Sequence, residues 1–112
     1  MRLIDGAAAS LIADAMFALS APSRVQILGS LLGGPLAVGD ITDLLGMEQS
    51  AVSHQLRVLR EAGLVRARGE GQRRLYSVDP APLDDVDAWL ARWRGFWTQR
   101  LDALDTELRR TR

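Results

Sequence analysis

The stretch QSAVSHQLRVLREAGLVRARGEGQRRLYSV, residues 49–78, decides how this chain is read. In its first half Val52, Leu56 and Leu59 recur at helical spacing, a stripe that would face a core, and the pattern predicts a helix over 49–62. The opposite face carries Ser50, Ser53, His54 and Arg57. An ordinary amphipathic surface helix would more often carry Glu and Lys there. Short hydroxyls beside an Arg suit close approach to base edges and phosphates instead.

The second half, Leu64 to Val78, reads as a hairpin. Leu64-Val65-Arg66-Ala67-Arg68 and Arg74-Leu75-Tyr76-Ser77-Val78 partly alternate, as half-buried strands do. Between them Gly69-Glu70-Gly71-Gln72 supplies two glycines for the reversal. Arg66, Arg68, Arg73 and Arg74 cluster on this ribbon, where guanidinium groups suit phosphate contacts beside or inside a minor groove. A helix with a hydrogen-bonding face that runs directly into a basic hairpin is the layout of a winged helix-turn-helix.

Charge is concentrated on the same stretch. The chain has 112 residues and a formal net charge of zero. Yet residues 49–77 hold six Arg against two acids, while 1–48 hold two Arg against five acids and 78–112 six Arg against seven. A neutral protein with one basic face can bind DNA there and avoid it elsewhere. The length gives room for one domain, 1–112, with a modest core. The absence of cysteine excludes disulfides, thiolate metal sites and cysteine nucleophiles. No apolar run approaches the ~20 residues needed to span a bilayer. The apolar stretch Ala7 to Leu19 is preceded by Asp5 and interrupted by Asp14, which argues against a signal peptide. The expected location is the cytoplasm, with no membrane partner.

Outward from the central stretch, a first helix is expected from about Gly6 to Leu19, with Leu11, Ala15 and Phe17 to Leu19 available for packing. Ser20 can cap a second helix and Pro22 suits its first turn. That helix would bury Val25, Ile27, Leu28, Leu31 and Leu32, and Gly33-Gly34-Pro35 would end it. A short third helix carries Val38, Ile41, Leu44 and Leu45 and closes at Gly46. The brief turn Gly46 to Glu48 then leads to the reading helix, as in a helix-turn-helix. After Asp79-Pro80-Ala81-Pro82 a long helix over 83–110 is expected. Its apolar positions Leu83, Val86, Leu90, Trp93, Trp97, Leu101, Leu104 and Leu108 step by 3 or 4 in a near-heptad pattern, and Trp89 and Phe96 widen the stripe. The first helix would cover part of it and a second copy of the chain the rest. The expected fold is therefore mainly α with a small β-hairpin wing, in the order α-α-α-α-β-β-α, and dimeric.

The runs Leu19-Ser20-Ala21-Pro22-Ser23-Arg24, Gln49-Ser50-Ala51-Val52-Ser53-His54-Gln55-Leu56, Leu59-Arg60-Glu61-Ala62-Gly63-Leu64-Val65 and Gly71-Gln72-Arg73-Arg74-Leu75-Tyr76 together resemble the ArsR/SmtB-type bacterial transcriptional regulators. The resemblance implies a homodimer joined through its first and last helices, acting on a palindromic operator, most often as a repressor. It implies DNA contacts at Gln49, Ser50, Ser53, His54 and Arg57. The wing arginines Arg68, Arg73 and Arg74 match in kind rather than position by position. The expected dimer face comprises Leu11, Leu90, Trp93, Trp97, Leu101 and Leu104.

The run Gly46 to Arg60 looks particularly like nickel- and cobalt-sensing members, but it reads DNA and does not identify an effector. The family's thiolate site on the third helix would need cysteine. Its site on the last helix would need histidine, and none lies between Leu83 and Arg112. The single histidine, His54, sits on the DNA face, and in a dimer its two copies would lie about 34 Å apart. No cofactor is clearly encoded. A weak nickel, cobalt or zinc site through Asp79, Asp84, Asp85, Asp87, Asp102, Asp105 or Glu107 competes with their use in helix-dipole and ion-pair roles. Sensing can also fall to a partner protein, or to an apolar ligand near Trp89, Trp93, Phe96 and Trp97. The sequence offers no nucleophile–base pair and no phosphate loop, so an enzyme is not expected. The competing function is a protein-interaction module of the same fold that has lost operator binding, against which the wing arginines argue.

Overall fold

The computed structural model describes residues 4–111. Helix α1 spans Gly6–Ala18 and is capped by Asp5, whose carboxylate accepts the Ala8 N–H at 2.7 Å. Helix α2, Pro22–Ser30, has its proline at the first position, where a missing N–H costs nothing. Ser20 does not cap it; its hydroxyl turns back and donates to the Phe17 carbonyl at 2.6 Å. Then α2 tightens into a 3-10 turn, Leu31–Gly33. A two-residue strand β1, Leu36–Ala37, leads into α3, Val38–Leu45. Helix α4 spans Gln49–Glu61, close to the expected 49–62. Strands β2, Val65–Glu70, and β3, Arg73–Val78, form the wing. Helix α5 spans Ala81–Arg110, the expected last helix with two residues more at its start.

The core forms where the helical stripes converge. Val52, Leu56 and Leu59 are buried as their spacing requires, together with Ile12, Ala15, Ala18, Ile27, Leu31, Ile41, Leu64, Val65 and Val86. Three other residues leave the stripes assigned to them. Leu44 is exposed because it is turned about 100° from Leu45, which takes the packing position. Leu32 is 85% exposed because the 3-10 turn rotates it out of the α2 stripe. Val25 is exposed on the side of α2 away from Ile27.

The sheet has the order β1-β3-β2, all antiparallel, so the wing is three-stranded at its base. Sequence periodicity cannot show β1, which is two residues long and is defined only by its pairing of Leu36 with Tyr76 and Ala37 with Leu75. The wing reverses through Gly71-Gln72 alone, because Gly69 and Glu70 still pair with Arg74 and Arg73. Gly71 takes φ +61° and no other residue type in the described chain has a positive φ, which is the φ pattern of a II′ hairpin. Gly46 ends α3 in the left-handed conformation, φ +65°, and makes the turn into α4 a short one.

Helix α5 is 30 residues long, about 45 Å at 1.5 Å per residue. Helix α1 packs against its first part, where Val86 is buried and Trp89 half-buried. Beyond that, Leu90, Trp93, Phe96, Trp97, Leu101, Leu104 and Leu108 are all exposed. Trp89, Trp93, Phe96 and Trp97 form an edge-to-face series with ring centroids 5.5–6.0 Å apart. Among the described residues no single helix is long and apolar enough to cross a membrane.

Candidate nucleic-acid interface

Gln49 and Ser50 open α4, and Ser53, His54 and Arg57 follow on its outer face; all five are exposed. The side chains of Ser50, Ser53, His54 and Arg57 make no hydrogen bond or ion pair within the described chain. A helix face of unspent donors and acceptors is what an external polar surface can engage.

What holds that face in place is a residue on another helix. The guanidinium of Arg24, on α2, donates from Nε to the Ala18 carbonyl at 2.6 Å and from Nη1 to Gln55 Oε1 at 2.9 Å. A longer contact, 3.5 Å, reaches the Phe17 carbonyl. Arg24 thus satisfies the Ala18 carbonyl at the end of α1 and grips the middle of α4. The run containing Arg24 is legible as a motif, but its link to Gln55, 31 residues away, is a tertiary fact.

The wing arginines do not act as one cluster. Along β2 and β3 successive side chains alternate between the two sheet faces. Arg66 and Arg68 share one face with Ser77 and Leu75, and all four line a groove of about 350 Å³ closed by Pro35. Arg73 belongs to the same parity, and its Nη2 reaches Asp40 on α3 at 2.7 Å. The same Asp40 carboxylate accepts the Ala37 N–H at 3.0 Å, so Arg73 ties the wing to the start of α3. Arg74 lies on the opposite face with Tyr76, over whose ring its guanidinium sits at 6.0 Å. That face looks at α4. Ser53, Leu56, Arg57 and Arg60 of α4 join Arg74 and Tyr76 around a cleft of about 140 Å³. Of the expected site residues, then, Ser53, Arg57 and Arg74 are brought together, and Arg68 and Arg73 are set apart from them. Sequence reasoning does not place Arg60 in the site. Its signal in the sequence is its position seven residues after Ser53 and three after Arg57, on one flank of the helix.

The residues do not fit a thiolate or imidazole metal centre. There is no cysteine, and His54 stands on the outer face of α4. Among the described residues no three His, Cys, Asp or Glu side chains gather to hold an ion. Several of the carboxylates are engaged with arginines: Asp87 with Arg94 at 3.5 Å, Asp105 with Arg109 at 3.0 Å and Asp79 with Arg66 at 3.9 Å.

Comparison with known proteins matches this architecture. Residues 21–67 match the family described as bacterial regulatory protein, arsR family. The chain is 51% identical over 75 residues to the HTH-type transcriptional regulator NmtR of Mycobacterium tuberculosis, a match covering 67% of this chain and 62% of the relative. It is 33% identical over 73 residues to the transcriptional repressor SdpR of Bacillus subtilis, covering 65% of this chain and 81% of that one. Among solved structures, an ArsR-like transcriptional regulator from Rhodococcus sp. RHA1 superimposes with a TM-score of 0.72 at 26% identity, over 88% of this chain and 92% of that one. With its helix-turn-helix, its arginine-bearing wing and these matches, the chain belongs to the arsR family of bacterial regulatory proteins, which are transcriptional regulators and not enzymes.

Proposed function

We propose that this chain works in the cytoplasm as a homodimer that binds a palindromic operator sequence-specifically and represses transcription there. The observation that carries the reading is the exposed face of α4, whose Ser50, Ser53, His54 and Arg57 side chains are unspent within the described chain and are flanked by Arg74 of the wing. In this reading α4 enters the major groove with Gln49, Ser50, Ser53 and His54 at base edges, and Arg57, Arg68, Arg73 and Arg74 serve the backbone or minor groove. Dimerisation through α1 and α5 covers Leu11, Leu90, Trp93, Trp97, Leu101 and Leu104, an apolar stripe too large to be left to solvent. Two reading helices then meet half-sites one helical turn, about 34 Å, apart. Repression agrees with the name of the relative SdpR.

The regulating signal is proposed to lie outside the family's thiolate and imidazole chemistry. A divalent ion held by carboxylates alone would be bound weakly and with little selectivity. A partner protein or an apolar ligand on the aromatic stretch of α5 is the alternative source of the signal. The deciding experiment for DNA binding is a gel shift with the DNA that precedes the chain's own coding sequence, with random competitor DNA and a salt titration. Retention of that DNA over competitor is expected, with affinity falling steeply as salt rises. Equal, feeble binding to both DNAs would overturn the proposal in favour of a protein-interaction module.

A further inference from the structure

Several arginines in the described chain have partners within it. Arg24 is held by carbonyls and Gln55, and Arg66, Arg68, Arg73, Arg94 and Arg109 each approach a carboxylate. Arg57, Arg60 and Arg74 are different. None of the three has an anionic partner among the described residues, and all three line the one cleft between α4 and the wing. No carboxylate lines that cleft; the Tyr76 hydroxyl adds a neutral donor. Three like charges converging without a counter-charge repel one another unless an anion joins them.

We infer that this cleft is the seat of a single DNA backbone phosphate, clamped by Arg57, Arg60 and Arg74, and that Arg60 is therefore a DNA-contacting residue. The inference rests on the proposed DNA-binding function and goes beyond it. It adds Arg60, assigns Arg57 and Arg74 to the same phosphate, and makes the clamp span two elements. A cavity of about 140 Å³ has room for a phosphate group but not for a base pair. Guanidinium groups fork onto phosphate oxygens in pairs, so one phosphate can engage all three. Its position, where wing and reading helix meet, would fix how deeply α4 sits in the groove.

The test compares wild type, Arg60→Gln and Arg60→Lys on a footprinted operator and on a random duplex, with dimer state and thermal midpoint checked for each. Arg60→Gln is expected to lose roughly ten- to a hundredfold in affinity on both DNAs, and its salt slope is expected to fall by about 0.9. Arg60→Lys is expected to keep the slope and recover part of the affinity, as a point charge without the fork. In parallel, single methylphosphonate linkages are scanned through the operator with the wild-type chain. One neutral linkage per half-site is expected to weaken wild type strongly and Arg60→Gln hardly at all. An Arg60→Gln variant with wild-type affinity and slope overturns the clamp. So does the absence of a linkage that the wild type and Arg60→Gln feel differently. If Arg60→Gln does not fold, the same scan with Arg60→Lys decides, since the clamp predicts one linkage at which the lysine variant loses less than wild type. Failure of the wild type itself to prefer the operator would sink the proposed function, whereas wild-type binding untouched by Arg60→Gln sinks only the clamp.

Discussion

Arg73 and Arg74 are neighbours in the chain and lie on opposite faces of the wing. Arg73 reaches Asp40 through Nη2 and so steadies the wing, an exposed pair worth about 0–1 kcal/mol and weak enough to yield to a phosphate. Arg74 looks across at α4. Arg68, on the far face, has only Glu70 at 4.0 Å with both side chains well exposed, and it remains available to a phosphate. Separating affinity from specificity follows from these placements. Arg68→Ala is expected to weaken operator and random DNA alike and to lower the salt slope by about 0.9. Ser53→Ala and His54→Ala are expected to weaken the operator selectively, by about 1–3 kcal/mol for each base that is no longer read. Anisotropy titrations on both DNAs check this. Loss of discrimination in Arg68→Ala, with discrimination kept in the other two, would reverse the assignment.

At the scale of elements, α4 has no side-chain cap at its start and depends there on its neighbours. Its N-cap, Glu48, makes no side-chain capping bond, while Arg24 holds Gln55 in its middle and the end of α1 at once. Replacing Arg24 by Met keeps the apolar stem and removes the charged donors. The expected cost is about 2 kcal/mol in denaturant unfolding, because hydrogen bonds from a charged donor disappear and the Ala18 carbonyl is left without its partner. Operator affinity should fall as well, since α4 loses its brace. A variant with unchanged midpoint and unchanged binding would show that Gln55 is held in another way. Two glycines with positive φ act at this scale: Gly46 shortens the turn before α4, and Gly71 lets the wing reverse in two residues.

For the whole molecule, the exposed half of α5 is the dominant feature. Trp97 is 56% exposed and Leu101 63%, on a helix that runs beyond the reach of α1. The double variant Trp93→Glu with Leu101→Glu is expected to sediment as a monomer and to bind the operator weakly, because one monomer presents only one reading helix. An unchanged dimer in sedimentation would place the interface elsewhere. The same molecule is expected to show no tight transition-metal site. Calorimetry with nickel, cobalt and zinc on the isolated dimer should yield weak, poorly selective binding, since only carboxylates remain as donors. A nanomolar dissociation constant, or an imidazole ligand in a metal-bound structure, would refute that. Allosteric control requires a ligand that binds the DNA-competent and DNA-incompetent dimers differently, so an ion bound this weakly could act only at high concentration.

Local periodicity was enough for the sequence to determine the succession of helices, the buried stripe of Val52, Leu56 and Leu59, the breaks at Pro22 and Gly46, and the basic hairpin. Each of these depends on residues within a turn or two of one another, and helical and strand repeats express that directly. The tertiary structure decided what depends on distant partners. Strand β1 exists because β3 pairs with it. Leu32 faces outward because the 3-10 turn rotates it away from the core, and Leu44 because Leu45 takes the packing position. Arg24 grips Gln55 across 31 residues and Arg73 finds Asp40 across 33. The hairpin's alternation separates Arg74 from Arg68 and Arg73, but only the docking of the wing against α4 brings Arg74 together with Arg57 and Arg60. A side chain's charge is written in the sequence; whether that charge is spent inside the fold or left for DNA depends on which groups the fold sets beside it.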